Sequence, residues 1–313
     1  MVISTIIGKG ACGSAEVYSG DLGCSVNLAL IKHAIFLKKG TRIPVSTDLD
    51  EAYMNVLTQA GAVPLIDAYG SEPTFAEDTL ETSDLGVEAL TLKGLPKFAL
   101  TFKKGQEFYK QISKLTGFGN YDVVLGDVNG NWIFAVASNG DLKGFTVGQI
   151  VAMMTAAATA TESEKKTVSF QITSRPEYDL DFEVILASNA FPISDVKGVN
   201  GVTLSFADAN GAVIPANSDV TLKVKAVFTN GMDVGVEGLA ADGSEFLYTV
   251  DGVTTSTAVV DDGDGFYTLT VAAIATSEIL TLQNYDSSVN KNVVITSAGV
   301  LLRSNVLTAV AVV

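Results

Sequence analysis

Apolar and polar positions alternate along residues 98–103 (FALTFK), the period of a half-buried strand, and the run stops at Lys104 and Gly105. Directly after it, Phe108, Ile112 and Leu115 fall at spacings of four and three. That spacing lays one apolar stripe along a helix over 106–115, which Gly117 and Gly119 end. Residues 121–125 (YDVVL) and 132–137 (WIFAVA) are β-rich, and the Asn129-Gly130 pair between them predicts a hairpin. Two more strands are expected over 145–154 and 166–173, joined by an Ala- and Thr-rich connection, 155–163. Nothing between 92 and 173 is arranged like a catalytic centre.

Upstream the pattern is mixed. Apolar runs at 28–31 and 34–37 are closed by Pro44. Thr47 and Asp48 with Glu51 read as a capping box that opens a helix through Ala52, Val56 and Leu57 and stops at Gly61. A strand over 62–68 follows. Residues 69–92 are acidic, with Glu72, Glu77, Asp78, Glu81, Asp84 and Glu88, and show no strong period, so they read as a long loop reaching a partner.

Near 185–195 the texture changes. Seven short β-rich runs separated by turn signals such as Asn230-Gly231 and Asp251-Gly252 fill the rest of the chain, the pattern of an immunoglobulin-like β-sandwich without its Cys and Trp hallmarks. Residues 1–190 carry 15 basic and 22 acidic side chains, and 191–313 carry 5 and 13. Two domains are therefore expected, 1–190 and 191–313.

Composition supports a β-rich, turn-rich protein. Of 313 residues, 47% are hydrophobic and 18% charged, with 29 glycines, which excludes a disordered chain. The net charge of −15 disfavours phosphate neutralisation and hence direct nucleic-acid binding. Apolar stretches at 147–160 and 307–313 fall short of the roughly 20 residues of a membrane span, and the N-terminus lacks the build of a signal peptide. A soluble protein with no membrane partner is expected. Cys12 and Cys24 fit neither a disulfide framework nor a zinc spacing; they read as free thiols, with a bridge left open.

Chemical candidates are few. His33 is the single histidine, flanked by Lys32 and Ala34 in an expected strand, and reads as structural. Asp261-Asp262-Gly263-Asp264-Gly265 lacks EF-hand spacing and reads as a hairpin turn. Gly8, Gly10 and Gly13 spell GxGxxG without a strand-then-helix frame, so a flexible N-terminal arm over 1–24 is favoured. Residues 162–166 (ESEKK) read as a solvated turn. No catalytic residue, cofactor or metal is expected, and the protein is read as a non-enzyme.

An extended N-terminal segment, a strand leading into a long loop, residues 81–84 (ETSD), 94–102 (GLPKFALTF), one helix, a hairpin and 166–173 (KTVSFQIT) together resemble bacteriophage tail tube proteins over about residues 20–187. The helix-containing insert at 48–61 departs from that family. The resemblance implies a mainly β fold, a tail-tube β-sandwich or barrel with one or two flanking helices plus a C-terminal immunoglobulin-like β-sandwich. It further implies hexameric rings stacked into a hollow tube through which phage DNA passes without specific binding. The partners would be further copies and the tape measure, terminator and baseplate proteins, in a virion tail assembled in the host cytoplasm. On that reading 69–92 is an inter-ring loop, with Glu77, Asp78, Leu80, Glu81, Asp84, Leu85 and Val87 as contact residues. Phe145, Val147, Gln149, Val168, Phe170 and Ile172 mark the strands lining an acidic lumen. A capsid-decorating or adhesive protein built of β-sandwiches is the alternative. A carbohydrate-active enzyme would need aromatic platforms that a single tryptophan, Trp132, supplies poorly.

Overall fold

The computed structural model describes residues 29–82, 88–186, 191–207, 213–229, 234–239, 245–255, 259–287, 291–296 and 300–312. The N-terminal arm, with its glycine motif and Cys12 and Cys24, lies outside the described residues. The protein is mainly β, as the patterning predicts. It divides into two units, residues 1–57 with 61–196, and 197–313 with 58–60. The division falls at Val196/Lys197 instead of 190/191 because Ile193 and Val196 are buried among first-unit side chains.

In the first unit, β1 (Ile31–Lys38) is paired along its whole length with β9 (Tyr121–Asp127), which forms a hairpin with β10 (Trp132–Val136). These strands are apolar on both faces, and both faces are buried. Ala34, Phe36, Val123, Leu125 and Ile133 enter one core, while Ile35, Leu37, Val124, Trp132 and Phe134 enter a second. Each large side chain fully buried here contributes about 1.5–3 kcal/mol.

Each core is capped by a helix, though in the earlier of the two helices the expected Ala52 and Val56 are exposed. Helix α1 (Glu51–Gln59) sends Met54 and Leu57 into the second core, and α2 (Gln106–Ser113) sends Tyr109 and Ile112 into the first. The cap of α1 is Asp50, whose Oδ1 accepts the Tyr53 N–H at 2.8 Å, and not the Thr47/Asp48 pair: the helix begins at Glu51, so residue 50 is the one that reaches its third N–H.

The first core is closed by a second layer in the order β12 (Phe145–Ala152), β13 (Lys166–Ile172), β7 (Pro96–Phe102), β4 (Gly70–Phe75). Strand β12 also pairs with β9, so the two layers share it and the sheet curls into a half-barrel. The corner lies at a register shift between Val147 and Ile150. Gly148 sits there, and a Cβ on it would stand 2.6 Å from Thr173 Cγ2. The unit is completed by β3 (Val63–Leu65) and by short elements absent from the sequence reading: β2 (Arg42–Ile43), β8 (Gly117–Phe118), β11 (Leu142–Lys143), α3 (Arg175–Asp179), opened by a proline in its first turn, and β14 (Phe182–Ile185), paired with β10.

The second unit is a two-sheet sandwich. One sheet runs β20 (Val259–Gly263), β21 (Phe266–Val271), β17 (Val220–Phe228), β15 (Val199–Phe206), β24 (Leu301–Ser304), β23 (Val294–Ile295). The other runs β16 (Val213–Pro215), β25 (Leu307–Val312), β22 (Ile279–Asn284), β18 (Phe246–Val250), β19 (Val253–Thr255). Alternate residues of both sheets meet in one core around Val224, Tyr267, Leu269, Leu280 and Ala309. Tyr267 has its hydroxyl donating to the Val236 carbonyl at 2.8 Å, and burial pushes its phenol far up. The Asp261–Gly265 segment is the β20–β21 hairpin turn. Asp261 Oδ1 accepts the Gly263 N–H at 2.9 Å, and Gly263, Asp264 and Gly265 all have positive φ.

Candidate assembly surface

Residues 69–92 are not an irregular loop. They hold the edge strand β4 and a separate two-stranded hairpin, β5 (Thr79–Thr82) with β6 (Glu88–Leu92), which we call the arm. The strand period is hidden because no described side chain of the arm is buried: every side chain of β5 is exposed, as are Leu90 and Leu92 of β6. Strand β4 pairs with β7 on one side, and among the described residues its other side has no strand. Pro73, which has no N–H to give, suits such an edge.

Three elements fix the base of the arm. Asp78 Oδ1 accepts the Gly94 N–H at 2.8 Å and forms an ion pair with Arg175 of α3, while Arg175 Nε donates to Asp179 at 2.7 Å. The Gly94 hydrogen bond, helped by the Arg175 guanidinium, holds the Asp78 carboxyl below the usual range. Gly94 has no room for a side chain: a Cβ there would meet the Ala76 carbonyl oxygen at 1.7 Å. Phe75, at the end of β4, packs edge-on to Phe98 at 6.2 Å and against Tyr178 at 6.1 Å, and Tyr178 continues the cluster to Phe145. Helix α3 is itself tied to β12 by Glu177, which accepts the Thr146 N–H at 2.8 Å and pairs with Lys143.

A shallow groove of about 230 Å³ opens between the arm and α3, lined by the apolar Leu90, Pro176 and Leu180 and by the charged Asp78, Lys93, Arg175 and Asp179. It is smaller than the roughly 300–1,000 Å³ of ordinary small-molecule sites.

Of the contact residues expected from sequence, Asp78 lies at the arm's base, Leu80 and Glu81 on β5, and Glu77 is exposed just ahead of Asp78. Asp84, Leu85 and Val87 lie outside the described residues. Leu90, Leu92, Gly94 and Arg175 were not anticipated. The two leucines inside an acidic stretch and the Arg175-Pro176 pair, a helix start, are the sequence signals that could have found Leu90, Leu92 and Arg175.

The lumen-strand residues need correction. Phe145, Val147, Val168, Phe170 and Ile172 are buried in the unit's own core, since alternate residues of a strand face opposite ways; Gln149 is exposed. The opposite face of β4, β7, β13 and β12 carries Thr74, Ala99, Thr101, Thr167, Gln171, Gln149 and Val151, with the buried Ser169 opposite Val151 and with Glu72 and Lys97 as its charged members. Thr101 and Thr167 share a hydroxyl hydrogen bond of 2.8 Å. This set is near neutral, without the surplus of carboxylates expected of an acidic lumen.

Other chemical candidates have structural places. His33 is buried, its Nδ1 accepts the Asp67 N–H at 3.2 Å where Asp67 takes a φ of 56°, and burial lowers its pKa against the opposing pull of the Asp67 carboxylate. Trp132 is 1% exposed, stacked on Phe134 at 5.6 Å, with its indole N–H donating to the Phe191 carbonyl at 2.6 Å, so it offers no platform to a ligand. Among the described residues no cluster of His, Cys, Asp and Glu is placed to hold a metal, and no helix is long and apolar enough to cross a membrane. Comparison of the sequence with protein-family models and with curated proteins finds no match to either.

Proposed function

We propose that this chain is a structural subunit that polymerises with identical copies, of the kind found in bacteriophage tail tubes. The observation that carries the reading is the edge of β4, unpaired among the described residues, continuing into an arm whose described leucines are exposed. Leu80 is 55% exposed and Leu92 67% exposed. An isolated two-stranded hairpin is marginal in water, and a sheet edge left open invites further strands. Both conditions are relieved when neighbouring copies cover the arm and continue the half-barrel, which closes into one barrel only across subunits.

On this reading the layer β12–β13–β7–β4 turns its near-neutral outer face to the lumen. A sparse and balanced charge set gives phosphates nothing to hold, so DNA passes without specific binding. The C-terminal sandwich is then an appendage of the tube, and the tail's tape measure, terminator and baseplate proteins are the heterologous partners. Negative-stain microscopy with light scattering on the purified chain is the test. Stacked annuli with a central hole are expected. Discrete monomers or trimers across the accessible concentration range would overturn the proposal and favour a decorating or adhesive protein.

A further inference from the structure

The arm has two apolar faces that point opposite ways, and among the described residues both carry exposed leucines. In the hairpin register Leu80 stands opposite Leu90, whereas Thr79 stands opposite Leu92, with Thr91 as the extra residue at the shift between them. Directly opposed residues share a face and neighbours along a strand do not. Leu80 and Leu90 therefore share the face on which Leu90 lines the groove. Leu92 lies on the back of the arm with Glu81, the residue after Leu80. The groove face ends in Leu180, 78% exposed, and the cation Lys93 also lines the groove.

We infer that the groove beneath the arm is the receptor for the back of the arm of a second copy: Leu92 of one chain seats between Leu90 and Leu180 of the next, and Glu81 pairs with Lys93. This deepens the self-assembly reading and rests on it. The occupant follows from complementarity within one sequence. An apolar side chain with a carboxylate beside it faces one way, and a groove with apolar walls faces the other, in which Arg175 is paired with Asp78 and Asp179 and Lys93 is the further cation. The groove suits an aliphatic side chain better than a drug-sized ligand on volume alone. The two surfaces are different patches, so the contact is heterologous. Each bound copy presents a fresh groove or a fresh back face, and the association closes into a ring or continues as a filament. A symmetric dimer through either patch would leave the other bare.

Charge exchange tests the pairing in the full chain. Glu81→Lys and Lys93→Glu each place like charges across the contact and should weaken association about tenfold or more by light scattering. The double variant Glu81→Lys/Lys93→Glu should recover most of that loss. Leu92→Ser should weaken association without a charge change. All the altered side chains are on the surface, so the emission of the buried Trp132 and the far-ultraviolet circular dichroism should stay as in the unaltered protein. If the unaltered chain assembles and both single reversals assemble equally well, or if the double variant fails to recover, the docking contact is wrong while self-assembly stands. If the unaltered chain is monomeric at every concentration, both readings fall together.

Discussion

Gly126 of β9 and Ile193, in the 3-10 turn Ile193–Asp195, make a size-matched pair that can be probed quantitatively. A Cβ at position 126 would stand 2.5 Å from Ile193 Cδ1, 2.8 Å from Ile193 Cγ2 and 3.0 Å from His33 Cβ. Ile193 is fully buried and branched at Cβ, so its Cγ2 cannot swing aside without moving backbone. Two effects oppose each other in Gly126→Ala. The glycine has no positive φ to defend, so the substitution lowers unfolded-chain entropy and stabilises by about 0.4–1 kcal/mol. The overpacking costs about 1–3 kcal/mol and wins. Ile193→Ala alone removes both clashing atoms from a closed site and should cost about 2–5 kcal/mol. In the double variant the new methyl occupies part of the vacated space, so the total should fall short of the sum by at least about 1 kcal/mol. Urea unfolding followed by Trp132 emission reports on this unit directly, since the indole is bonded to Phe191 two residues from Ile193. Additivity within about 0.5 kcal/mol would refute the packing argument.

Gly94→Ala should leave the two cores intact but displace the arm, because the obstacle is the Ala76 backbone carbonyl; faster proteolysis between residues 76 and 94 with unchanged Trp132 emission is expected, and wild-type protection would contradict it. The lowered pKa of His33 has a definite sign. The unfolded chain binds its proton from about pH 6.5 downwards, the native state only at lower pH, so the neutral His33–Asp67 contact stabilises above that value and its contribution is lost as pH falls through the folded pKa. A His33→Gln variant should show a smaller stability loss between pH 7.5 and 5.5 than the unaltered protein; identical slopes would show that another group governs the window. Tyr267→Phe leaves the Val236 carbonyl without its hydroxyl donor and should cost about 1–3 kcal/mol in thermal unfolding; a neutral result would mean that the carbonyl finds another donor.

How much was legible depended on whether a strand has one buried face. In β7, Phe98, Leu100 and Phe102 point inward at every second residue, so alternation announced the strand and nearly its bounds. The stripe of α2 and the Asn129-Gly130 turn were equally plain, the latter with Gly130 at a φ of 82°. Where burial does not alternate, the pattern is silent. Strand β4 carries Gly70 and Pro73 and is exposed beyond Ser71, and β5 is exposed along its whole length with Leu90 and Leu92 exposed opposite it, so pairing with β7 and a tether at Asp78 hold what no periodicity predicts. Helix α3 is five residues long, too short for a period to develop, and only its proline marked it. The residues expected to mark lumen strands, Phe145, Val147, Val168, Phe170 and Ile172, serve the core, because an apolar alternation in sequence identifies the inward face of a strand and not the one left outside.

The contacts at the arm's base are unequal, and the inequality fixes where the arm can move. Glu177 and Lys143 are 13% and 15% exposed and share their site with the Thr146 backbone N–H, so breaking them strands a partly buried charge. Arg175 and Asp78 are 32% and 37% exposed, where water screens the pair and its net contribution is small. A load on the arm therefore separates Asp78 from Arg175 before it shifts α3 against β12. The Phe75–Phe98–Tyr178 contacts lie on the core side of that break and stay with the sheet. Any such displacement would be taken up at residues 76–78 and 93–94, where Gly94 lies against the Ala76 carbonyl. A hinge so placed lets the arm adjust to a neighbouring copy while the half-barrel keeps its register, since no ladder bond of β4, β7, β13 or β12 is spent in the motion.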